Sequence, residues 1–249
     1  MAGHSKWASI KHKKKATDAK RGALFTKLTR AITVAAREGG DVEGNPSLAL
    51  AVQKAKDASM PKDNIERAIA KGTGADQDAA AFETIVYEGY GPGGVAVLVE
   101  ALTDNRNRTS SDVRHLFTKS GGSLGEPGSV AWIFEKKGEI LVDGSRYDED
   151  DLMPAIEAGA EDVTGDGEML EIVTGPADLA AIRTALEGAE VEIQSAELAM
   201  RPTNRVEVDE AHLASLMKLI DALDDNDDVQ AVHANFDAPA ELLERVAGS

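Results

Sequence analysis

The sequence predicts a multidomain α+β protein, with an N-terminal helical domain followed by two α/β sandwich domains, one inserted into the other. Three observations carry this expectation. Apolar residues recur at helical spacing over the first 72 residues, strand and helix patterns mix beyond a polar stretch at 73–81, and from Gly138 to residue 200 the order reads β-α-β-β-α-β. That order is the ferredoxin-like one. At 249 residues, 42% hydrophobic and 29% charged, the chain is long enough for two or three domains with buried cores.

In the first 72 residues, Leu24, Leu28, Ala31, Ile32 and Ala35 recur at three and four after Gly22 and gather on one arc of a helix. Lys20, Lys27, Arg30 and Arg37 fall on another arc, and Gly39-Gly40 ends the helix. Asn45-Pro46 reads as a cap with proline in the first turn, opening a second helix through Leu48, Val52 and Ala55. Pro61 opens a third, with Ile65, Ala68 and Ile69 inward and Gly72 as its stop. The stretch TGADQDAAA at 73–81 has neither helical nor strand period and reads as a linker.

Strands are expected at Phe82 to Tyr87 and Val95 to Leu102, a helix at Ser110 to Lys119 and a strand at Val130 to Phe134. The inserted unit then follows as strand Glu139 to Val142, helix Asp148 to Ala158, strands Asp162 to Val163 and Met169 to Val173, helix Ala177 to Leu186 and strand Val191 to Leu198. A short strand near Arg205 to Val208, a helix from Glu210 to Leu223 and a strand at Val229 to Phe236 are too few to stand alone. They are expected to complete the sheet begun at Phe82, giving a split domain of 82–137 plus 201–249 around an acidic insert at 138–200.

Charge is distributed unevenly along the chain. The net value is -17, yet residues 1–37 hold ten lysines and arginines against Asp18 alone, a local +9. Beyond residue 72 there are 12 basic residues against 37 acids. Salt screens charges over about 8 Å at physiological ionic strength, so a basic segment acts on a nearby phosphate whatever a distant acidic domain carries. The segment SKWASIKHKKKATDAKRG interleaves Lys6, Lys11, Lys13, Lys14, Lys15, Lys20 and Arg21 with His4, Trp7 and His12. Cations that neutralise phosphates beside a ring able to stack on a base point to nucleic acid, RNA before duplex DNA. Trp7 is better suited to anchoring the arm than to stacking. Lys27 and Arg30 extend the basic face, and DNRNRTSSDVRH adds a second cluster. There Arg106 and Arg108 are expected in a loop before a helix that carries Arg114 and His115, with Thr109 and Ser110 as caps. Turn and cap chemistry explains that polar run equally well.

Three motif matches fail on context. Gly89 to Gly94 fits G-x-G-x-x-G, but a strand follows where a dinucleotide site needs a helix, so it reads as a hairpin turn. Gly121 to Gly125 fits G-x-S-x-G, yet it runs out of a helix and no base is placed for Ser123. Asp224 to Asp228 opens like a calcium loop, but Val229 and Asn235 stand where glycine and glutamate are needed, and the run reads as a solvated helix end. The five histidines show no metal-binding spacing and there is no cysteine, so no metal, cofactor or disulfide is expected, and no residues nominate themselves for catalysis. No apolar run reaches membrane-spanning length, and a cytoplasmic protein without a membrane partner is expected.

The segments MAGHSKW, DAKRG, NIERAI, DNRNRT and GSVAWIFEKKG resemble the YebC/PmpR family nearly end to end. The resemblance implies a helical domain followed by two α/β domains. It also implies one of two roles, since bacterial members are similar to probable transcriptional regulators that bind DNA, and a related mitochondrial protein is a translational activator of cytochrome c oxidase subunit I. Ala23 and Ser47 occupy positions where the resemblance implies frequent basic residues. Two roles therefore stand: a translation factor on ribosomal RNA, with the ribosome as partner, or a regulator on promoter DNA. The first is preferred because no recognition helix for a major groove emerges and the acidic domains suit basic ribosomal protein tails. The sequence leaves the oligomeric state open.

Overall fold

The computed structural model describes Ile10 and residues 18–74, 82–165 and 167–247. Among the described residues from Asp18 on, three helices come first, α1 (Asp18–Ala35), α2 (Pro46–Asp57) and α3 (Lys62–Thr73). Asn45 caps α2 by accepting the Leu48 N–H at 3.0 Å, while its amide group donates to the carbonyls of Ala35 and Gly39 at 2.8 Å each. One residue thereby starts α2 and ties it to the end of α1. Leu28, Ile32, Leu48, Val52, Ile65 and Ala68 meet in the core of this domain.

Gly72 does not stop α3, which runs on to Thr73. A Cβ on Gly72 would lie 2.3 Å from the Thr33 carbonyl oxygen and 2.6 Å from Ala36 Cβ, so glycine is there to let α3 touch α1. Of the expected linker at 73–81, residues 75–81 lie outside the described residues.

Beyond it come β1 (Glu83–Tyr90), β2 (Ala96–Thr103), α4 (Arg106–Lys119), β3 (Ser123–Leu124) and β4 (Phe134–Asp143), then α5 (Met153–Glu157), β5 (Asp162–Gly165), β6 (Met169–Thr174), α6 (Leu179–Gly188) and β7 (Ile193–Pro202). The chain ends with β8 (Val206–Glu207), α7 (Glu210–Asp224), β9 (Val229–Ala234), β10 (Phe236–Asp237) and α8 (Ala240–Ala247), of which β3, β10 and α8 have no counterpart in the sequence reading. One sheet has the order β3-β1-β2-β9, so the last long strand pairs with β2 across the 125 residues between Thr103 and Val229. Its inner face packs on α4 and α7 through Tyr87, Val97, Val99, Phe117, Leu213 and Leu216. A second sheet has the order β5-β6-β4-β7, all antiparallel, the ferredoxin-like arrangement of a β-α-β-β-α-β unit, with α5 and α6 covering Ile140, Val142 and Ile172. The fold is an N-terminal helical domain followed by two α/β sandwiches, one inserted into the other.

Local differences from the sequence reading have local causes. Residues Ala131–Ile133 form a 3-10 turn where a strand was expected, and the strand begins at Phe134. It then continues through Gly138, which falls inside β4 because a Cβ there would meet the Thr174 hydroxyl at 2.2 Å. The helix expected over Asp148 to Ala158 is reduced to Met153–Glu157, since the Asp148 carboxylate accepts the N–H groups of Asp150 and Asp151 and holds them in a turn. Pro154 then starts the helix. The hairpin reading of Gly89 to Gly94 holds, closed by the Gly91 N–H on the Val95 carbonyl at 2.8 Å.

Replacing Gly72 with alanine is expected to lower stability by about 1 to 3 kcal/mol, because the added methyl overpacks the contact between α1 and α3. Chemical denaturation of Gly72→Ala against the parent chain measures it, and an unchanged midpoint would contradict the close-approach role.

Candidate nucleic-acid interface

The basic arc of α1 faces the split domain. Lys27 Nζ donates to the Asp224 carbonyl, and Arg30 Nη1 lies 2.8 Å from Asp228 Oδ1, 2.9 Å from the Asp227 carbonyl and 3.1 Å from the Leu102 carbonyl. From the other side, Arg108 Nη2 lies 2.7 Å from Asp228 Oδ2 and 3.0 Å from Asp104 Oδ1. The hydroxyls of Thr109 and Thr103 stand 2.6 and 3.2 Å from the same Oδ2. Asp228 is only 4% exposed. Burial pushes its carboxyl up, but the hydrogen bonds from Thr109, Arg108 and Arg30 outweigh that and hold it below the usual carboxylate value.

The solvated helix end read at Asp224 to Asp228 is therefore corrected: it receives α1, and Asp228 is its buried centre. Arg106 and Arg108 lie in the first turns of α4 and not in a preceding loop. The cap is Asn105, which accepts the Arg108 N–H at 3.1 Å, and the expected cap Thr109 is fully buried against Asp228. Asn105 outcompetes Thr109 and Ser110 because the Asp104-Asn105 turn follows β2 directly and the helix starts at once. Arg106 reaches back to Glu83 on β1 at 2.7 Å. Arg114 and His115 are exposed on α4, and Arg114 forms no ion pair among the described residues.

Of the sequence candidates, Lys6, Trp7, Lys11, His12, Lys13, Lys14 and Lys15 lie outside the described residues, as do the side chains of Lys20 and Arg21. Ile10, in the middle of the arm, packs against the core of the split domain. Arg30 and Arg37 also lie over the Phe82 ring, 5.1 and 5.9 Å from its centre. The insert grips the helical domain as well: Arg183 holds Asp57 through both its terminal nitrogens at 2.8 Å, and Lys54 meets Glu197 at 2.6 Å. The structure thus brings Lys27, Arg30 and Arg108 together around one acidic segment, with Arg106 at the start of α4 and Arg114 further along it. Among the described residues no group of three or more His, Asp or Glu is placed to hold a metal ion, and no helix is long and apolar enough to cross a membrane.

Residues 5–75 match the family model described as the TACO1/YebC protein N-terminal domain, and residues 82–236 match the model of the TACO1/YebC second and third domain. The chain belongs to the TACO1/YebC family. It is 59% identical to a protein of Rubrobacter xylanophilus across the whole of both chains, and 52% identical to one of Streptomyces coelicolor across 99% of each. Both relatives carry the name "Probable transcriptional regulatory protein". Among solved structures, the conserved hypothetical protein Aq1575 of Aquifex aeolicus superposes with a TM-score of 0.81 at 48% identity, covering 89% of this chain and 92% of that one. The two TACO1/YebC matches leave out residues 76–81, within the stretch read as a linker.

The clamp at Asp228 has a pH signature. A carboxylate held below its unfolded value of about 3.9 contributes stability above that pH and loses it as the pH falls through the folded value. Asp228→Asn is therefore expected to show a shallower loss of stability on acidification than the parent chain, measured by urea unfolding across a pH series. Asp228→Ala, which takes the buried carboxylate away from Arg30 and Arg108, is expected to lose about 3 kcal/mol at neutral pH. Superimposable acid limbs would remove the clamp from the stability account.

Proposed function

We propose that the chain is a nucleic-acid-binding regulator of gene expression that acts by binding and not by catalysis, with DNA as its target in a transcriptional role. The observation that carries this reading is the shared name of its relatives, "Probable transcriptional regulatory protein", on proteins 59, 55 and 52% identical over essentially their full length. The charge asymmetry supports it, since residues 1–37 carry +9 in a chain of net -17. In this reading the contacts are Lys6, Lys11, Lys13, Lys14 and Lys15 on the arm, Lys20 and Arg21 in the first turn of α1, and Arg114 on α4. Lys27, Arg30, Arg106 and Arg108 brace the arm's base, because each already bonds to the split domain and a phosphate would have to displace a carbonyl or carboxylate from it.

A translational role on ribosomal RNA is the second reading, and one observation favours it. The basic arc of α1 is turned inward onto Asp224 and Asp228, so this helix does not present Lys27 and Arg30 to a major groove. Crosslinking in cells followed by sequencing of the attached nucleic acid separates the two. Discrete promoter fragments support the transcriptional reading, and enrichment of ribosomal RNA supports the translational one.

Reversing Lys13, Lys14 and Lys15 to glutamate is expected to abolish nucleic-acid binding and leave the unfolding midpoint unchanged. Binding retained by the folded variant would count against the arm. Affinity of the parent chain should also fall with salt, with a log-log slope of about 0.9 per phosphate contacted on duplex DNA and about 0.7 on single strands. A flat response would sink the electrostatic reading.

A further inference from the structure

On the outer face of the split sheet, away from α4 and α7, β1 buries Glu88 between Val86 and Tyr90. The Glu88 carboxylate accepts three backbone N–H groups of the following loop: Gly128 on Oε1 and Val130 and Ala131 on Oε2, each at 2.7 Å. Burial pushes this carboxyl up, the three N–H bonds outweigh it, and the group is held below the usual carboxylate value. Such a fully bonded buried carboxylate fixes the loop's backbone. Val130 and Ile133 sink into the sheet beside Leu98 and Phe134. Between them the 3-10 turn throws Trp132 outward, 70% exposed.

The geometry of the two rings is specific. Trp132 Nε1 and the Tyr90 hydroxyl both donate to one acceptor, the Ser129 carbonyl, at 3.1 and 3.2 Å. Their polar tips are turned back onto the protein, and what they offer to solvent is ring surface, with Tyr90 39% exposed. A tryptophan left on the surface by accident has no need of a buried carboxylate to hold its turn. Only Val86, 46% exposed, adds apolar surface on this face of β1, far short of the roughly 800 Å² per partner of a stable protein interface. One flat, apolar, π-bearing group is what the surface fits, and a nucleobase has that shape. The chain after β7 is tethered to the same turn: Thr203 donates to the Ile133 carbonyl through its N–H and hydroxyl at 2.8 and 2.9 Å. Arg205, without an ion pair among the described residues, is two residues on, at most about 7 Å of backbone away.

We propose that Trp132, with Tyr90 beside it, is a stacking platform for an unpaired base of single-stranded nucleic acid, with Arg205 placed for the adjoining phosphate. The inference rests on the nucleic-acid reading above and deepens it, because the ligand becomes a single strand or a melted duplex, of RNA or DNA.

The test compares the parent chain with Trp132→Ala and Trp132→Phe by fluorescence anisotropy on three labelled probes of one mixed sequence: a single-stranded RNA, a single-stranded DNA and the duplex DNA. Trp132→Ala is expected to bind single strands about tenfold more weakly and the duplex unchanged, with Trp132→Phe close to the parent. The more affected single strand tells RNA from DNA. With 5-iodouracil in the probe, irradiation should give an adduct that mass spectrometry maps to Trp132. Because the side chain is mostly exposed, the alanine variant should keep the parent's unfolding midpoint, which is measured alongside. Equal loss on strand and duplex, or no loss on either, overturns the platform. If the salt-dependent binding of the parent persists in that case, the regulator reading stands without the platform. If the parent binds none of the three probes, both fall.

Discussion

Asp228 is where the helical domain, α4 and the returning strand β9 hold one another. Its two carboxylate oxygens divide the work: Oδ1 takes Arg30 from α1, and Oδ2 takes Arg108, Thr109 and Thr103. A buried carboxylate with one cation would be a poor contributor, because desolvation offsets most of the attraction. Here both oxygens have donors, and removing the acid would leave Arg30, whose side chain is only 18% exposed, with the neutral carbonyls of Leu102 and Asp227 in place of a carboxylate. Arg108 is nearly half exposed and contributes less. The clamp also decides which way α1 faces.

That orientation changes the meaning of the basic N-terminal sequence. Counted along the chain, Lys27 and Arg30 look like the continuation of the arm's positive run. In space they are turned inward, so the run divides into a part that binds the protein's own carbonyls and carboxylates and a part, before α1, that holds Lys6, Lys11, Lys13, Lys14 and Lys15 and no acid. Periodicity could not show the division. It placed Lys27 and Arg30 on a different arc from Leu28 and Ile32, but a helix in a multidomain protein has two covered faces, and hydrophobic spacing reports only the apolar one.

The same limit explains what was legible in the rest of the fold. Elements with strong periodicity or punctuation were readable, among them Asn45-Pro46 at the start of α2, the Gly89 to Gly94 hairpin and the β-α-β-β-α-β order of the insert. Readings failed where a side chain bonds to backbone at a distance. Trp132 sits in a run, SVAWIF, with the composition of a strand, and only Glu88, some forty residues earlier, turns it into a 3-10 turn. Asp228 reads as one acid in a solvated run because its partners are Arg30 and Arg108. For Glu88 a signal was available, a polar residue set inside a strongly apolar run, since it follows Ile85, Val86 and Tyr87 in β1; Asp228, in an acidic run, offered none. Gly72 and Gly138 misled in the opposite sense, since glycine marks close approach as often as it marks an end.

The acidic insert fits this picture on electrostatic grounds. Residues 138–200 carry 17 acids against Arg146 and Arg183, and both arginines are paired, Arg146 with Glu192 and Arg183 with Asp57 and Glu187. A net of -15 on one domain would defeat nucleic-acid binding if charges acted over the whole molecule. They do not, because the field decays over about 8 Å in physiological salt. What the insert does alter is the approach of a polyanion from any side but the basic one, where like charge raises the energy of encounter. In the nucleic-acid-binding reading proposed above, a partner of high negative charge would therefore be admitted only from the basic side. Contacts that need no net charge, such as stacking on an exposed ring held by Glu88, gain weight in such a protein.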